Sequence, residues 1–202
     1  MPPRSIAYCL AFVLSLPSAG ALALSIELSQ AEVGTQGAGA AAPSGSPSLP
    51  QIFRSDADLP EPVRQMRLRL MEAARTGDLN RLRALMDEQP EPPAVSLGNA
   101  GDPIEYLKAL ATDAEGREIL AILLEVLEAG FVRVQAGAPD ELYVWPYFAQ
   151  YPPDSLTPPQ LVELFTLLTA ADYEEMRSYG SYTFFRVGIA PDGRWLFFLA
   201  GD

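Results

Sequence analysis

An α+β fold, with N-terminal helical hairpins followed by a small antiparallel sheet of two hairpins with intervening helices, is what this sequence predicts on three observations. Apolar residues recur at helical spacing between Val63 and Leu127. The period drops to two from Phe131 onward. Prolines, glycines and capping residues divide both stretches into short elements.

Ahead of these elements, Arg4 supplies a charge, Ile6 to Leu16 form an apolar run, and Pro17 and Gly20 precede the small-residue pattern Ala21-Leu22-Ala23. This predicts a signal peptide over 1–23, cleaved so that the exported chain begins at Leu24. The apolar run is shorter than the roughly 20 residues that span a bilayer, and no later segment approaches that length. Cys9 sits inside the run rather than after it, which argues against a lipoprotein. A periplasmic or secreted location is therefore expected, with no membrane span after cleavage.

Residues 24–57 shift to Ala, Gly, Ser and Pro, including Pro43-Ser44-Gly45-Ser46-Pro47. Such a composition buries too little apolar surface to offset its ordering entropy and predicts a disordered leader. Gly34, Gly37 and Gly39 lack the flanking strand and helix of a phosphate loop. Asp56 and Asp58 lack the loop glycine and terminal glutamate of a calcium hand.

The remainder, 58–202, has the length of one domain, helical over 58–130 and mixed over 131–202. Val63, Met66, Leu70 and Ala73 or Ala74 mark a first helix, with Pro60 and Pro62 at its start and Gly77 at its end. Asp78 caps a second carrying Leu79, Leu82, Leu85 and Met86, which makes an antiparallel helical hairpin. Asp102-Pro103-Ile104-Glu105 reads as a capping box with proline at the first helical position. Asp113 caps a longer helix through Ile119, Leu123 and Leu127, apolar over more than one stripe and hence central.

Phe131-Val132-Arg133-Val134 and Leu142-Tyr143-Val144-Trp145 flank a turn and predict a hairpin, with Pro146 placing the second strand at an edge or bending it. Thr157-Pro158-Pro159-Gln160 opens a further helix, and another ends near Gly180. The last hairpin turns at Pro191-Asp192-Gly193, with glycine at the left-handed position. That register pairs Ile189 with Trp195, Val187 with Phe197 and Phe185 with Leu199. Phe184, Arg186, Leu196 and Phe198 then share the opposite face, with Arg186 opposite Phe198. Two apolar faces need two coverings. The reading adopted is a strand pair sandwiched in the domain with Arg186 stacked on an aromatic; the alternative is a partner-binding face.

Ala73-Ala74-Arg75-Thr76-Gly77-Asp78-Leu79, followed by Leu82, Leu85 and Met86, resembles the helix-turn-helix portion of an ankyrin repeat. Asp102-Pro103-Ile104, then Gly116, Leu123-Leu124-Glu125 and Ala129-Gly130, is similar to a degenerate second copy. The Thr-Pro-Leu-His signature is absent, so the resemblance over 63–130 implies helical hairpins and not the family's partner-binding role. The last hairpin, together with the segment from Leu142, resembles the carboxyl-terminal region of uncharacterised secreted or periplasmic proteins of Gram-negative bacteria. That resemblance implies an envelope setting and no particular activity.

The chain has no histidine, and its only cysteine is Cys9. This excludes thiol nucleophiles, Ser-His-Asp triads and His- or Cys-based metal sites from the exported part. No cofactor motif is found, and none is expected. The net charge of −12 is unevenly spread: residues 54–83 hold seven Arg against five acids, while 84–202 hold six bases against nineteen acids. Nucleic-acid binding, which needs a concentrated basic surface, is not expected. Arg64, Arg67 and Arg75 read as a solvated helix face, the alternative being an anionic partner or lipid.

Two constellations remain for catalysis. Glu125 and Glu128 lie one helical turn apart, and Asp172, Glu174 and Glu175 cluster near a helix start; both read as structural. Lys108, the single lysine, has no Ser-x-x-Lys motif before it. For binding, the densest aromatic run is Tyr143, Trp145, Tyr147, Phe148 and Tyr151, whose period-two members point to one side of a strand. Tyr143, Trp145, Tyr147 and Tyr151, with Phe184, Arg186 and Phe198, form the candidate binding face, although core packing explains the same pattern. The function expected is an exported, non-enzymatic binding or structural module of the bacterial cell envelope, with an envelope protein or cell-wall component as partner. A carboxylate-dependent hydrolase of cell-wall glycan is the alternative. An enzyme should show two carboxyls converging in a concave pocket, and a binder an aromatic or apolar patch without them.

Overall fold

Helix α1 (Glu61–Arg75) starts where Pro60 and Pro62 favour a first turn and stops at Thr76 before Gly77, whose φ of +73° suits glycine. A computed structural model describes residues 49–201. The expected signal peptide and the expected leader up to residue 48 lie outside the described residues. Helix α2 (Asn80–Asp87) follows, with the Asp78 side chain accepting the Asn80 N–H at 3.0 Å. Helix α3 (Pro103–Leu110) is capped by Asp102, which accepts from the N–H groups of Ile104 and Glu105. The Glu105 half of the expected capping box does not form. Arg83 reaches Asp102 instead, and with those two N–H groups holds its carboxyl down at about 2. Helix α4 (Arg117–Glu128) is capped by Asp113 through the N–H groups of Arg117 and Glu118, and it packs on α1 and α3.

Among the described residues, five strands form one antiparallel sheet in sequence order: β1 (Ile52–Phe53), β2 (Phe131–Val134), β3 (Leu142–Trp145), β4 (Arg186–Ile189) and β5 (Trp195–Leu199). Between β3 and β4 lie α5 (Pro158–Leu167) and α6 (Ala170–Tyr179). Gln160 turns back to accept the Thr157 N–H at 2.8 Å, and Thr169 and Asp172 cap α6 reciprocally. The α+β class and the two hairpins are therefore present. The sheet is covered on both faces. One face meets α1 to α4 around Leu70, Leu123, Trp145 and Phe198; the other meets the turn at Tyr147, α5 and α6 around Val144, Leu164 and Met176.

Three expectations are corrected. The ordered chain begins before Asp58, because residues 52–53 of the expected leader form β1, which pairs Ile52 with Val132 and Phe53 with Phe131. The last hairpin does not keep period two. Ile189 pairs with Trp195 as expected, but a bulge at Leu196 then sets Phe197 against Gly188, Val187 against Phe198 and Arg186 against Leu199. Phe197 lies over the bare Cα of Gly188, where any Cβ would collide with its ring. Phe198 is thereby turned into the core beneath α1 to α4. Third, Arg186 does not stand opposite Phe198; its guanidinium donates to the Tyr182 carbonyl at 3.4 Å.

The two edges of the sheet are closed differently. At β5, Ala94 bridges in parallel to Phe197, donating its N–H to Leu196 and accepting from Phe198, both at 2.9 Å. The Gln89 side chain accepts the Trp195 N–H at 2.7 Å. At the other edge the outermost strand is β1 itself, Ile52 and Phe53, carried by the segment 49–54, which runs as a strap along β2.

Candidate functional site

The residues chosen from sequence as a binding face are mostly interior. Tyr143 and Trp145 point beneath the α1 to α4 layer with Phe198, and Trp145 packs 5.0 Å from the Phe131 ring. Strand β3 ends at Trp145, where the Trp145–Pro146 peptide is cis, and Tyr147 begins a 3-10 turn on the opposite face of the sheet. The period-two alignment of Tyr147 with Tyr143 and Trp145 is thus broken at Pro146, which lacks the N–H a strand would need. Tyr151 is half-buried and donates its hydroxyl to the Pro50 carbonyl at 2.7 Å. Phe184 packs at the junction of both cores, and Arg186 is half-buried beside Tyr182. No single exposed face among the described residues gathers this set.

The basic residues of α1 are also engaged. Arg67 is only 12% exposed; it holds both oxygens of Asp56 at 2.9 and 3.0 Å and donates to the Leu127 carbonyl at the end of α4. It is an internal post rather than part of a solvated face. Arg64 pairs with Glu61, and Arg75 with Glu128. Asp172 serves the α6 cap, Glu174 pairs with Arg177, and Lys108 is exposed on α3.

A concave site forms where the last turn of α4, the strap, the Tyr147 turn and α5 meet. The cavity measures about 470 Å³ and is lined by Arg54, Glu125, Glu128, Tyr147, Glu163 and Thr166 among others. Its α5 wall is pre-set. Arg54 grips Glu163 through both carboxylate oxygens at 2.9 to 3.2 Å, and Tyr147 donates its hydroxyl to the same carboxylate at 2.6 Å. The Arg54 guanidinium stands 5.5 Å from the Tyr147 ring centroid, within cation–π reach. Thr166 turns its hydroxyl to the Glu163 carbonyl at 2.7 Å, and the Tyr147 N–H is anchored on the Gly130 carbonyl at 2.8 Å.

The α4 wall has a different character. Glu125 and Glu128 stand in the last turn of a helix with no basic residue there, where the helix dipole disfavours negative charge. Glu128 finds Arg75 at 3.3 Å, whereas Glu125 makes no ion pair with any described residue. Partial burial and the neighbouring Glu128 raise the Glu125 carboxyl above its ordinary value. Burial would raise Glu163 as well, but the hydrogen bonds from Arg54 and Tyr147 outweigh it and hold that carboxyl low. Burial and the Glu163 charge push the Tyr147 phenol up. One cleft therefore carries a carboxyl eased toward protonation and another locked as the anion.

The Glu125 and Glu128 pair is visible from helical spacing. Arg54 and Glu163 are not, because they lie 109 positions apart and neither belongs to a motif. Among the described residues no three acidic, His or Cys side chains are grouped to hold a metal ion, and no helix is long and apolar enough to cross a membrane. No family model matches the chain, and no curated protein or solved structure matches it significantly.

Proposed function

We propose that this chain is an exported, non-enzymatic binding module of the bacterial cell envelope and that the cleft between α4 and α5 holds its ligand. The observation that carries this reading is the asymmetry of the cleft. A hydrogen-bonded Arg54–Glu163–Tyr147 wall faces Glu125, a carboxylate without a cationic partner among the described residues. A concave site with a few convergent polar groups and displaced acidities is the default place for a ligand. Its volume suits one or two sugar units. Its chemistry favours a ligand with hydroxyls and an amine, as in a partly deacetylated cell-wall glycan.

The test is calorimetric titration of the purified protein with a glucosamine oligosaccharide and with its N-acetylated counterpart. The cationic sugar should bind at least about tenfold more tightly, a difference of about 1.4 kcal/mol, and Glu125→Gln with Glu128→Gln should remove that preference. Absence of binding, or equal binding of the two sugars, defeats the proposal.

Hydrolysis of a cell-wall glycan is a second reading, favoured by the raised Glu125 and lowered Glu163 in one cleft, as a general acid and an ionised carboxylate require. It calls for new reducing ends released from wall glycan and lost in Glu163→Gln. Binding without release leaves the module reading in place.

A further inference from the structure

Helices α1 and α5 differ on their outward sides. Both bury an inner stripe, which in α5 is Leu164 and Leu167 in the second core. The outer side of a surface helix ordinarily carries charge, and α1 exposes Glu61, Arg69, Glu72 and Arg75. Every exposed residue from 157 to 171 is instead uncharged. Glu163, the one charge of α5, is turned to the cleft and held there by Arg54 and Tyr147. Val162 is 70% exposed and Phe165 43%, and with Thr169 they stand at helical spacing in one stripe. The Phe165 ring is set by an edge-on contact with Tyr173 at 5.9 Å.

Acidic banks flank this stripe. On one side Thr166, one turn beyond Val162, lines the cleft together with Glu125 and Glu128. On the other, Tyr173 brings the start of α6 against Phe165, and with it Asp172, Glu174 and Glu175. Glu175 is exposed and makes no ion pair with any described residue. Residues 146–182 hold five acids against one base, and that base, Arg177, is already shared by Asp154 and Glu174.

We propose that the stripe on α5 docks a basic amphipathic helix of a partner protein, with its apolar face on Val162 and Phe165 and its lysines or arginines over the two acidic banks. Charge selects this occupant. A helix is about 10 Å across, so one laid along α5 brings a flank to each side of the stripe. Its basic side chains keep their stems on apolar surface and their charges over the glutamates. A second copy of this chain carries a net charge of −12 and would set acid against acid at this face. An anionic membrane is repelled for the same reason. Val162 and Phe165 do not line the cleft, so the docking stands whether or not the cleft binds a sugar.

The probe is a synthetic helix of about 18 residues with leucine on one face and lysine on the other, compared with a scrambled peptide of the same composition. Calorimetric titration should show the patterned helix binding at least about tenfold more tightly than the scrambled one. Amide NMR of the protein should place the shifts at Val162, Phe165 and Thr169. Val162→Ser with Phe165→Ser should weaken the patterned helix at least about tenfold, and Glu175→Lys by about threefold. The same double variant should leave the glucosamine titration unchanged, which separates failure of the stripe from failure of the cleft. Equal binding of both peptides overturns the proposal, because charge alone would then explain it. Shifts confined to other faces, or full binding by the double variant, overturn it as well. A dimer of the protein alone that the double variant abolishes overturns it by assigning the stripe to a second copy. Should the double variant lose its fold, Val162→Ser alone decides: unchanged binding overturns the proposal and a loss of about threefold supports it.

Discussion

The two edges of the sheet solve one problem in opposite ways. A free edge offers unpaired backbone groups to any strand, and proteins cover it. At β5 the cover is built from uncharged partners: the Ala94 backbone and the Gln89 side chain satisfy the edge, and Trp195 and Phe198 are sealed in the core directly behind it. At the other end the edge is the strap itself, whose two strand residues extend β2 and which carries a half-buried Phe53 and an exposed arginine. The first edge is closed by packing, the second by a short ladder, a ring stack and charge. The difference separates a seal made by the core from one made by a short strap.

The sharpest way to break this comparison is a matched pair of truncations. Phe198→Ala empties a fully buried ring site and should cost about 4 kcal/mol in chemical denaturation, whereas Phe53→Ala at the strap should cost about half of that. Equal losses would show that the strap is as integral as the core.

The next pair concerns the edges themselves. Gln89→Ala leaves the Trp195 N–H without its acceptor and should lower global stability by about 2 kcal/mol. Gly130→Ala forces the strap backbone outward by a few tenths of an ångström and should cost about 1 kcal/mol. The Gly130 effect should appear in hydrogen exchange as lost protection at Ile52 and Phe53 while the Phe198 amide stays protected.

The smallest effect is in pH. Glu163 has a lowered folded pKa, so its contribution is complete above the unfolded carboxylate value of about 4.3 and is lost as pH falls through the lower folded value. The groups facing it are Arg54 and Tyr147, with Glu125 and Glu128 across the cleft. Glu125 runs the other way, since its folded pKa is raised and its charge opposes folding once pH rises through that value. The β5 seal contains no titratable partner in Gln89, Ala94 or Leu196. Protection factors at Ile52 and Phe53 should therefore fall as pH drops below about 4.3, ahead of those at Phe198. Simultaneous loss at both edges would remove the distinction.

Local chemistry made most of the helices legible. Asp102-Pro103, Thr157 to Gln160 and Gly180 mark ends that depend on residues within one turn of each other. Three features escaped for the converse reason. Strand β1 has only two residues between Pro50 and Ser55, just after an Ala- and Gly-rich stretch, and its partner lies beyond the whole helical half of the chain. The bulge at Leu196 has no marker of its own, because consecutive Leu196-Phe197-Phe198 permits either alternation and only Gly188 on the neighbouring strand decides it. The cleft was half visible: spacing supplied Glu125 and Glu128, while Arg54 and Glu163 meet only through the tertiary fold. The aromatic run fitted both a ligand face and the core from its pattern alone, and Tyr143, Trp145, Tyr147 and Phe148 serve the core.

Residues 49–54 also impose an order in time. They precede every residue on which they dock, since β2, Tyr147, Tyr151 and α5 all follow the four helices of the first layer. A chain emerging from its amino end makes the strap early, yet the strap has nowhere to settle until residue 163 has been made and folded. Closing so long a loop carries an entropic cost that is recovered only when the groove exists. Strap docking therefore follows the making of β2, the Tyr147 turn and α5, and the Arg54–Glu163 pair is a marker of its completion.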